Sequence, residues 1–534
     1  MVNIDKFNQL QISDMETARK LSTRKDRISY LLLSLAGFKL TIHLLSNAFF
    51  NYGFFRDEFY YIACGEHLAW GYVDHPPLIA LITAVTRALL GDSLFALRLF
   101  PAFAGAATVY LTGLIARELG GGRSAQVLAA TAAIAAPIFL ALNTILSMNA
   151  FDLLFWTMAI YLVALILNRD KPKDKLWYWL GIVLGFGLMN KITLLWFGFG
   201  LGVSMLLTSK RRLFLTREPW LAAAIAVGIF MPHIVWQSAN GFPTIEFMRN
   251  ATMYKMAGGT AVYFLVEQVN LTHPLVVPLW LLAPGFYFLS REGARFRILG
   301  LLSIVVLALL LVAGKSKAYY FAPAYPILLT AGAVMLERLA KGSRGSFLRW
   351  LTPVYAVLVL AGGIITAPLV MPVLPVERYI EYAQTLGLSV SSGEKHEIGK
   401  LHQFFADMHG WEEMVAKVAE VYHGLGPEER ANCIIVCANY GEAGAIDFLG
   451  GKYGLPKAVC SHNNYWLWGP GERSGDVAVA IADREGAESF YGEVEVAGSI
   501  RHPYSMPFEN RPVYLCRKPK ATLQEVWSRL KFFI

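Results

Sequence analysis

Eleven apolar stretches, divided by short basic loops, constrain this chain more than any other feature. They fall at residues 29–50, 94–116, 124–142, 148–167, 176–190, 192–208, 219–238, 270–289, 298–313, 319–339 and 350–372. A helix needs about 20 apolar residues to cross a bilayer, and the fifth, sixth, eighth and ninth stretches lie near the short limit. Only 16% of the 534 residues are charged, against roughly a quarter in soluble domains. The chain therefore reads as a mainly α-helical polytopic membrane protein of about eleven spans. Its net charge of +9 then belongs to membrane loops, and nucleic acid is not an expected partner.

The loops orient the spans. With the N-terminus in the cytoplasm, the inside loops 117–123, 169–175, 210–217, 291–297 and 341–349 each carry several Lys or Arg, as the positive-inside rule requires. The basic tail before the first span (Arg19, Lys20, Arg24, Lys25, Arg27) has no small-residue cleavage pattern after it, so an uncleaved anchor is expected. The expected location is the cell membrane, with the C-terminal region outside the cytoplasm. Lys191, Lys315 and Lys317 break the sorting on the outer side. Headgroup contact accounts for such charges, and so does an anionic ligand such as a phosphate.

Two outer loops are long, 51–93 and 239–269. Segments 77–90 and 262–269 within them read as interfacial helices. From 374 onward polarity rises, which divides the chain into a transmembrane part, 1–373, and a small extracytoplasmic α/β domain, 374–534. Residues 433–438, 477–482 and 513–516 read as strands there, and 441–449 and 522–532 as helices. Cys433 and Cys437 are too far apart on one strand to bridge, whereas a Cys460–Cys516 disulfide is open in an oxidising compartment.

Several polar residues sit where they can carry chemistry. Asp57 and Glu58 follow the first span and are flanked by Arg56, Tyr60 and Tyr61. A carboxylate there can serve as a general base or simply stay solvated. Asp74 and His75 precede Pro76 and Pro77. Asp74 can cap a helix or hold a divalent cation, and His75 can donate to a phosphate oxygen. Asp152, with Asn149 one turn away, lies at the end of the fourth span, where an ionisable side chain is costly unless paired. Lys315 and Lys317 lead into Tyr319 and Tyr320, which suits a phosphate cradle and an interfacial aromatic belt alike. No Walker loop, zinc-protease motif or contextual Ser-His-Asp set is present, and a divalent cation near Asp74 or Asp152 is the one cofactor candidate.

The order of one span, Asp-Glu, an aromatic pair, a Tyr-x-Asp/Glu-x-Pro turn, an Asp at an outer span end and a Lys-x-x-Tyr-x-x-Pro span start resembles the polyprenyl-phosphate-sugar-dependent glycosyltransferases of family 39. The likeness covers roughly residues 28–340 and is strongest to the bacterial branch. This family includes protein O-mannosyltransferases and lipid A aminoarabinose transferases. The resemblance implies the GT-C fold and sugar transfer from a polyprenyl phosphate to an envelope glycan, lipid or protein hydroxyl. It places Asp57 at the acceptor-activating acid, with Glu58 after it. Asp74 and Asp152 fall on the further acids, and Tyr61 and Tyr320 near the lipid phosphate. Tyr60 and His75 stand where the lipid A branch has basic residues. With His75, the expected contacts to the phosphate are then Lys315 and Lys317, and Arg56 can compensate.

Two other classes fit parts of the pattern. A secondary transporter or flippase would use Asp152 and Lys191 as intramembrane charges, but no inverted repeat is visible. A binding module would stack sugars on Tyr465, Trp466 and Trp468, residues that packing in a domain core explains equally well.

Overall fold

The computed structural model describes residues 30–50, 52–169, 174–342, 350–390, 392 and 394–534. The basic N-terminal tail, Asn51 and most of loops 169–175 and 341–349 lie outside the described residues. Each of the eleven apolar stretches carries a helix. By length and composition, seven described helices can cross a membrane: Tyr30–Phe49, Leu94–Glu118, Met148–Leu167, Glu218–Ala239, Gly293–Ala313, Ala318–Lys341 and Leu351–Leu369. The number rises to nine if two bent pairs each count as a span. The expected fifth and sixth spans are the shorter helices Asp174–Asn190 and Leu194–Leu206, which meet at the turn bearing Lys191.

Proline stands at both bends. A residue before proline is driven out of the helical region by clash with the ring. Ala136 accordingly turns extended (φ −61°, ψ 119°) before Pro137, and Arg123–Ala135 bends 58° from Pro137–Thr144. His273 also leaves the helical region before Pro274 (ψ 152°), its positive φ of 61° adds a turn that proline does not impose, and Ala261–Thr272 meets Pro274–Leu289 at 93°. The expected interfacial segment 262–269 is thus the first limb of this bent pair.

The C-terminal region contains a five-stranded sheet of order β2-β1-β3-β5-β4. The strands are β1 (Cys433–Cys437), β2 (Ala458–Cys460), β3 (Val477–Ile481), β4 (Tyr491–Ser499) and β5 (Pro512–Pro519). β1 pairs in parallel with β2 and β3, and β5 runs antiparallel to β3 and β4. The expected helix over 522–532 shortens to Leu523–Val526 and a 3-10 turn, Trp527–Arg529. Cys460 and Cys516 lie on β2 and β5, three strand spacings or roughly 14 Å apart, beyond disulfide reach. All five cysteines are free and buried.

The two halves share a core. Phe59, Tyr60, Ala63, Cys64 and Tyr72 of the first outer loop pack with Trp411, Met414, Val418, Tyr440 and Ile446. Helix Tyr440–Leu449 crosses helix Arg56–Glu66 at two glycines. A Cβ on Gly441 would sit 2.3 Å from Arg56 Cγ, and one on Gly444 would sit 2.9 Å from the Phe59 carbonyl carbon. Glycine is what permits the two backbones to approach this closely. Gly444→Val is expected to destabilise this docking by about 1–3 kcal/mol through overpacking, read as faster proteolytic cleavage between the halves. Unchanged cleavage would contradict that packing.

The aromatic cluster belongs to this contact. Trp466 and Trp527 each donate their indole N–H to the other's carbonyl, at 2.9 and 3.0 Å. Trp468 stacks on His67 at 4.3 Å. Packing therefore accounts for these rings.

Candidate active site

Helix Arg56–Glu66 starts immediately after an extended Phe55. Its third residue, Glu58, folds back and accepts the Phe55 amide at 2.7 Å. The same carboxylate accepts two hydrogen bonds from Arg98, both 2.8 Å, and the Leu146 amide at 2.8 Å. Glu58 and Arg98 are fully buried. The forked pair ties the helix to the membrane helix Leu94–Glu118, the Leu146 amide ties it to the turn before helix Met148–Leu167, and Glu58 points inward. Asp57, one residue earlier, faces the other way, and a third of its side chain is exposed. Its Oδ1 accepts the Tyr440 hydroxyl at 2.9 Å and lies 3.8 Å from Arg56 Nε. Among the described residues, Oδ2 accepts no hydrogen bond.

A charge cluster surrounds this end of the helix. Glu394 pairs with Lys317 at 2.7 Å and lies 3.9 Å from Lys255. Burial alone would raise the Glu394 pKa, but Lys255, Lys317 and Arg56 hold it well below the usual carboxylate value. Burial lowers the Lys255 pKa, partly countered by Glu394. For Lys317 burial opposes the charge, but Tyr319 and Glu394 outweigh it and raise the pKa. Burial raises the Tyr440 pKa well above its ordinary value, so it stays a neutral phenol able to donate.

Asp407 lies 3.9 Å from Arg56 Nη1. Burial pushes its carboxyl up to about 7 against the pull of Arg56. A group raised in this way favours folding below its unfolded pKa, and that contribution is lost as pH rises through the folded value. Asp407→Asn removes the titration. The variant's melting temperature is expected to rise relative to wild type between about pH 4 and about pH 7 and to level off above that. A pH-independent difference would contradict the assignment.

The remaining sequence-predicted residues divide into two groups. Asp152 Oδ1 accepts the Thr193 hydroxyl at 2.6 Å, and Oδ2 lies 3.7 Å from Lys191. Lys191 also donates to Asn149 at 2.6 Å and sits 5.1 Å from the Tyr320 ring centroid. Tyr319 lies against Tyr320 at 4.9 Å and follows Lys317 by two residues, which joins this set to the Glu394 cluster. Tyr61 is buried, close enough to Asp57 and Asp74 to be raised by both after burial itself.

Three residues make no hydrogen bond or ion pair with that cluster among the described residues. Asp74 accepts the Tyr60 hydroxyl at 2.9 Å. His75 is buried against Tyr72, with Nδ1 2.8 Å from the Pro76 carbonyl and Nε2 3.7 Å from Cys64 Sγ. Lys315 is exposed and donates to the Thr252 carbonyl at 3.1 Å. Among the described residues no three His, Cys, Asp or Glu side chains converge on a metal-sized space.

Arg98, Lys255, Glu394, Asp407 and Tyr440 join the site without having been singled out in the sequence. Arg98 and Lys255 were visible as cations at an expected span end and in an outer loop. Nothing local marked Tyr440 or Glu394.

A family model described as Dolichyl-phosphate-mannose-protein mannosyltransferase matches residues 74–236. The lipid A galacturonosyltransferase RgtD of Rhizobium johnstonii is 26% identical over 298 residues. That match covers 54% of this chain and 61% of RgtD, less than two thirds of its length. Crystal structures of ArnT from Cupriavidus metallidurans, bound to undecaprenyl phosphate and in the apo state, share the fold with TM-scores of 0.56 at 14% and 13% identity. Each alignment covers 91% of this chain and 97% of ArnT. The fold is thus that of a polytopic GT-C-type membrane protein with a small C-terminal sheet domain. The family model and RgtD are both named as glycosyltransferases, in keeping with the resemblance to family 39 read from the sequence.

Proposed function

We propose that this protein transfers a sugar from a polyprenyl monophosphate to an acceptor hydroxyl at the outer face of the cell membrane. The observation that carries this reading is the contrast between two adjacent carboxylates. Glu58 is saturated by Arg98 and two amides, while Asp57 keeps one oxygen free beside a cluster of lysines. The acceptor oxygen attacks the anomeric carbon as Asp57 Oδ2 takes its proton. The anomeric carbon–phosphate oxygen bond breaks with inversion, and polyprenyl phosphate departs with both bonding electrons. Lys317, Lys255 and Arg56 offset the charge of that phosphate, and Lys191 and Tyr320 extend the same cationic wall toward the membrane. An arriving phosphate competes with Glu394 for the two lysines.

Glu58, Asp74 and His75 act in this reading as positioning residues for the first outer loop, and Lys315 orders the segment bearing Lys255. The acceptor is an envelope glycan, lipid or protein, and the loop charges support an outer-face site. The test is polyprenyl phosphate binding by purified protein, followed by thermal shift. Wild type is expected to be stabilised, and Lys317→Ala to bind roughly tenfold or more weakly through loss of a charge-assisted contact. Equal stabilisation of both proteins would remove Lys317 from the donor site.

A further inference from the structure

The C-terminal domain reaches the reacting carboxylate through one side chain. Tyr440 opens helix Tyr440–Leu449 directly after β1, and its position is fixed from its own domain. Asn439 Oδ1 accepts the amides of Gly441 and Glu442 at 2.9 and 3.0 Å. Glu442 Oε2 accepts the amides of Ala438 and Asn439 at 2.7 and 3.3 Å. Glu509, from the segment before β5, accepts the Asn439 side-chain amide at 3.2 Å. This reciprocal capping holds the turn tightly.

From that turn the buried Tyr440 ring packs on Tyr60 at 4.7 Å and on His462 at 4.8 Å. The Arg56 guanidinium lies 5.5 Å from its centroid. Among the described residues the hydroxyl has a single hydrogen-bond partner, Asp57 Oδ1, at 2.9 Å. Arg56 approaches the same oxygen only to 3.8 Å, outside hydrogen-bond range. A carboxylate with one exposed face and, among the described residues, no other direct donor can rotate, and Tyr440 removes that freedom.

We propose that Tyr440 is a positioning residue for sugar transfer. It is a hydroxyl supplied by the C-terminal domain that fixes the Asp57 carboxylate with Oδ2 toward the acceptor. The inference rests on the reading of Asp57 as the base. It gives the C-terminal domain a direct part in the reaction, because the site is incomplete without it.

The test uses the full chain in lipid vesicles with a polyprenyl-phosphate sugar and an accepted hydroxyl substrate, with rates expressed per folded protein. Tyr440→Phe keeps the ring and its stacking and removes only the hydroxyl. Its kcat is expected to fall roughly tenfold or more, as for loss of a hydrogen bond to a charged group, with KM for the donor unchanged. Tyr465→Phe is the control: it removes a similarly buried hydroxyl of the same domain, bonded to Asp447 at 2.9 Å, and should leave kcat and KM unaltered. If Tyr440→Phe keeps wild-type kcat while Tyr440→Ala loses activity, Tyr440 serves packing alone and the inference fails. If Tyr440→Phe and Tyr465→Phe lose activity equally, the effect is general to the domain and the inference also fails. If Asp57→Asn retains full activity, the base assignment itself has failed. An inactive Asp57→Asn beside an unaffected Tyr440→Phe would overturn the Tyr440 role alone.

Discussion

Asp57→Asn is expected to lower the rate of sugar transfer by roughly 10²–10⁴-fold, the range associated with a positioned general base. The substitution keeps the size of the side chain and an acceptor for Tyr440, so the protein should fold as wild type does. It removes the ability to take a proton from the acceptor hydroxyl. Donor binding should change little, because the lysines that meet the phosphate come from other segments: Lys317 before a membrane helix and Lys255 in the second outer loop. The signature is therefore a large fall in kcat with KM for the donor retained. A parallel fall in donor affinity would mean that Asp57 contributes to binding and not to proton transfer.

Arg98→Ala is expected to be the most damaging stability change near the site. Glu58 and Arg98 form a fully buried, two-pronged pair. Removing one partner of such a pair leaves an uncompensated buried charge and costs about 3–5 kcal/mol. Arg98 also donates to the Gly53 carbonyl at 2.8 Å, so the chain entering helix Arg56–Glu66 loses a second tie. Unfolding in detergent and proteolysis of the first outer loop should both register the loss. Replacing the pair by Glu58→Gln and Arg98→Met together should be milder, since no lone charge remains. If Arg98→Ala unfolds at the wild-type temperature, the pair does not hold the loop.

The membrane architecture was largely legible because bilayer spans are written locally, as continuous apolar runs. Met148–Leu167 matches its expected limits, and the small sheet domain lies in the C-terminal region. The departures have local physical causes. Pro137 and Pro274 turn straight spans into bent pairs, and His273 adopts a left-handed φ that no hydropathy pattern marks. β4 is an edge strand whose Glu493-Val494-Glu495-Val496 alternation is itself a period-2 strand signal, so this strand was legible though not expected. β2 has only three residues.

The site was legible only in part. The Asp57-Glu58 pair was conspicuous beside a span, but the sequence could not separate the two carboxylates. Their difference depends on Arg98, which comes from another helix. Tyr440 reaches Asp57 across 383 residues, and Glu394 meets Lys317 across 77. Neither contact has a short-range signature. His75 illustrates the reverse case: a suggestive motif position whose ring is occupied by Pro76, Cys64 and Tyr72.

The central claim is bond cleavage, and one measurement addresses it most directly. Purified protein is reconstituted in sealed vesicles with a polyprenyl-phosphate sugar labelled in both sugar and lipid, together with an acceptor hydroxyl. The expected result is transfer of the sugar label to the acceptor with one polyprenyl phosphate released per transfer, in wild type and not in Asp57→Asn. Movement of the intact doubly labelled lipid between leaflets, with no cleavage of the sugar–phosphate bond, would contradict the account and make the protein a transporter.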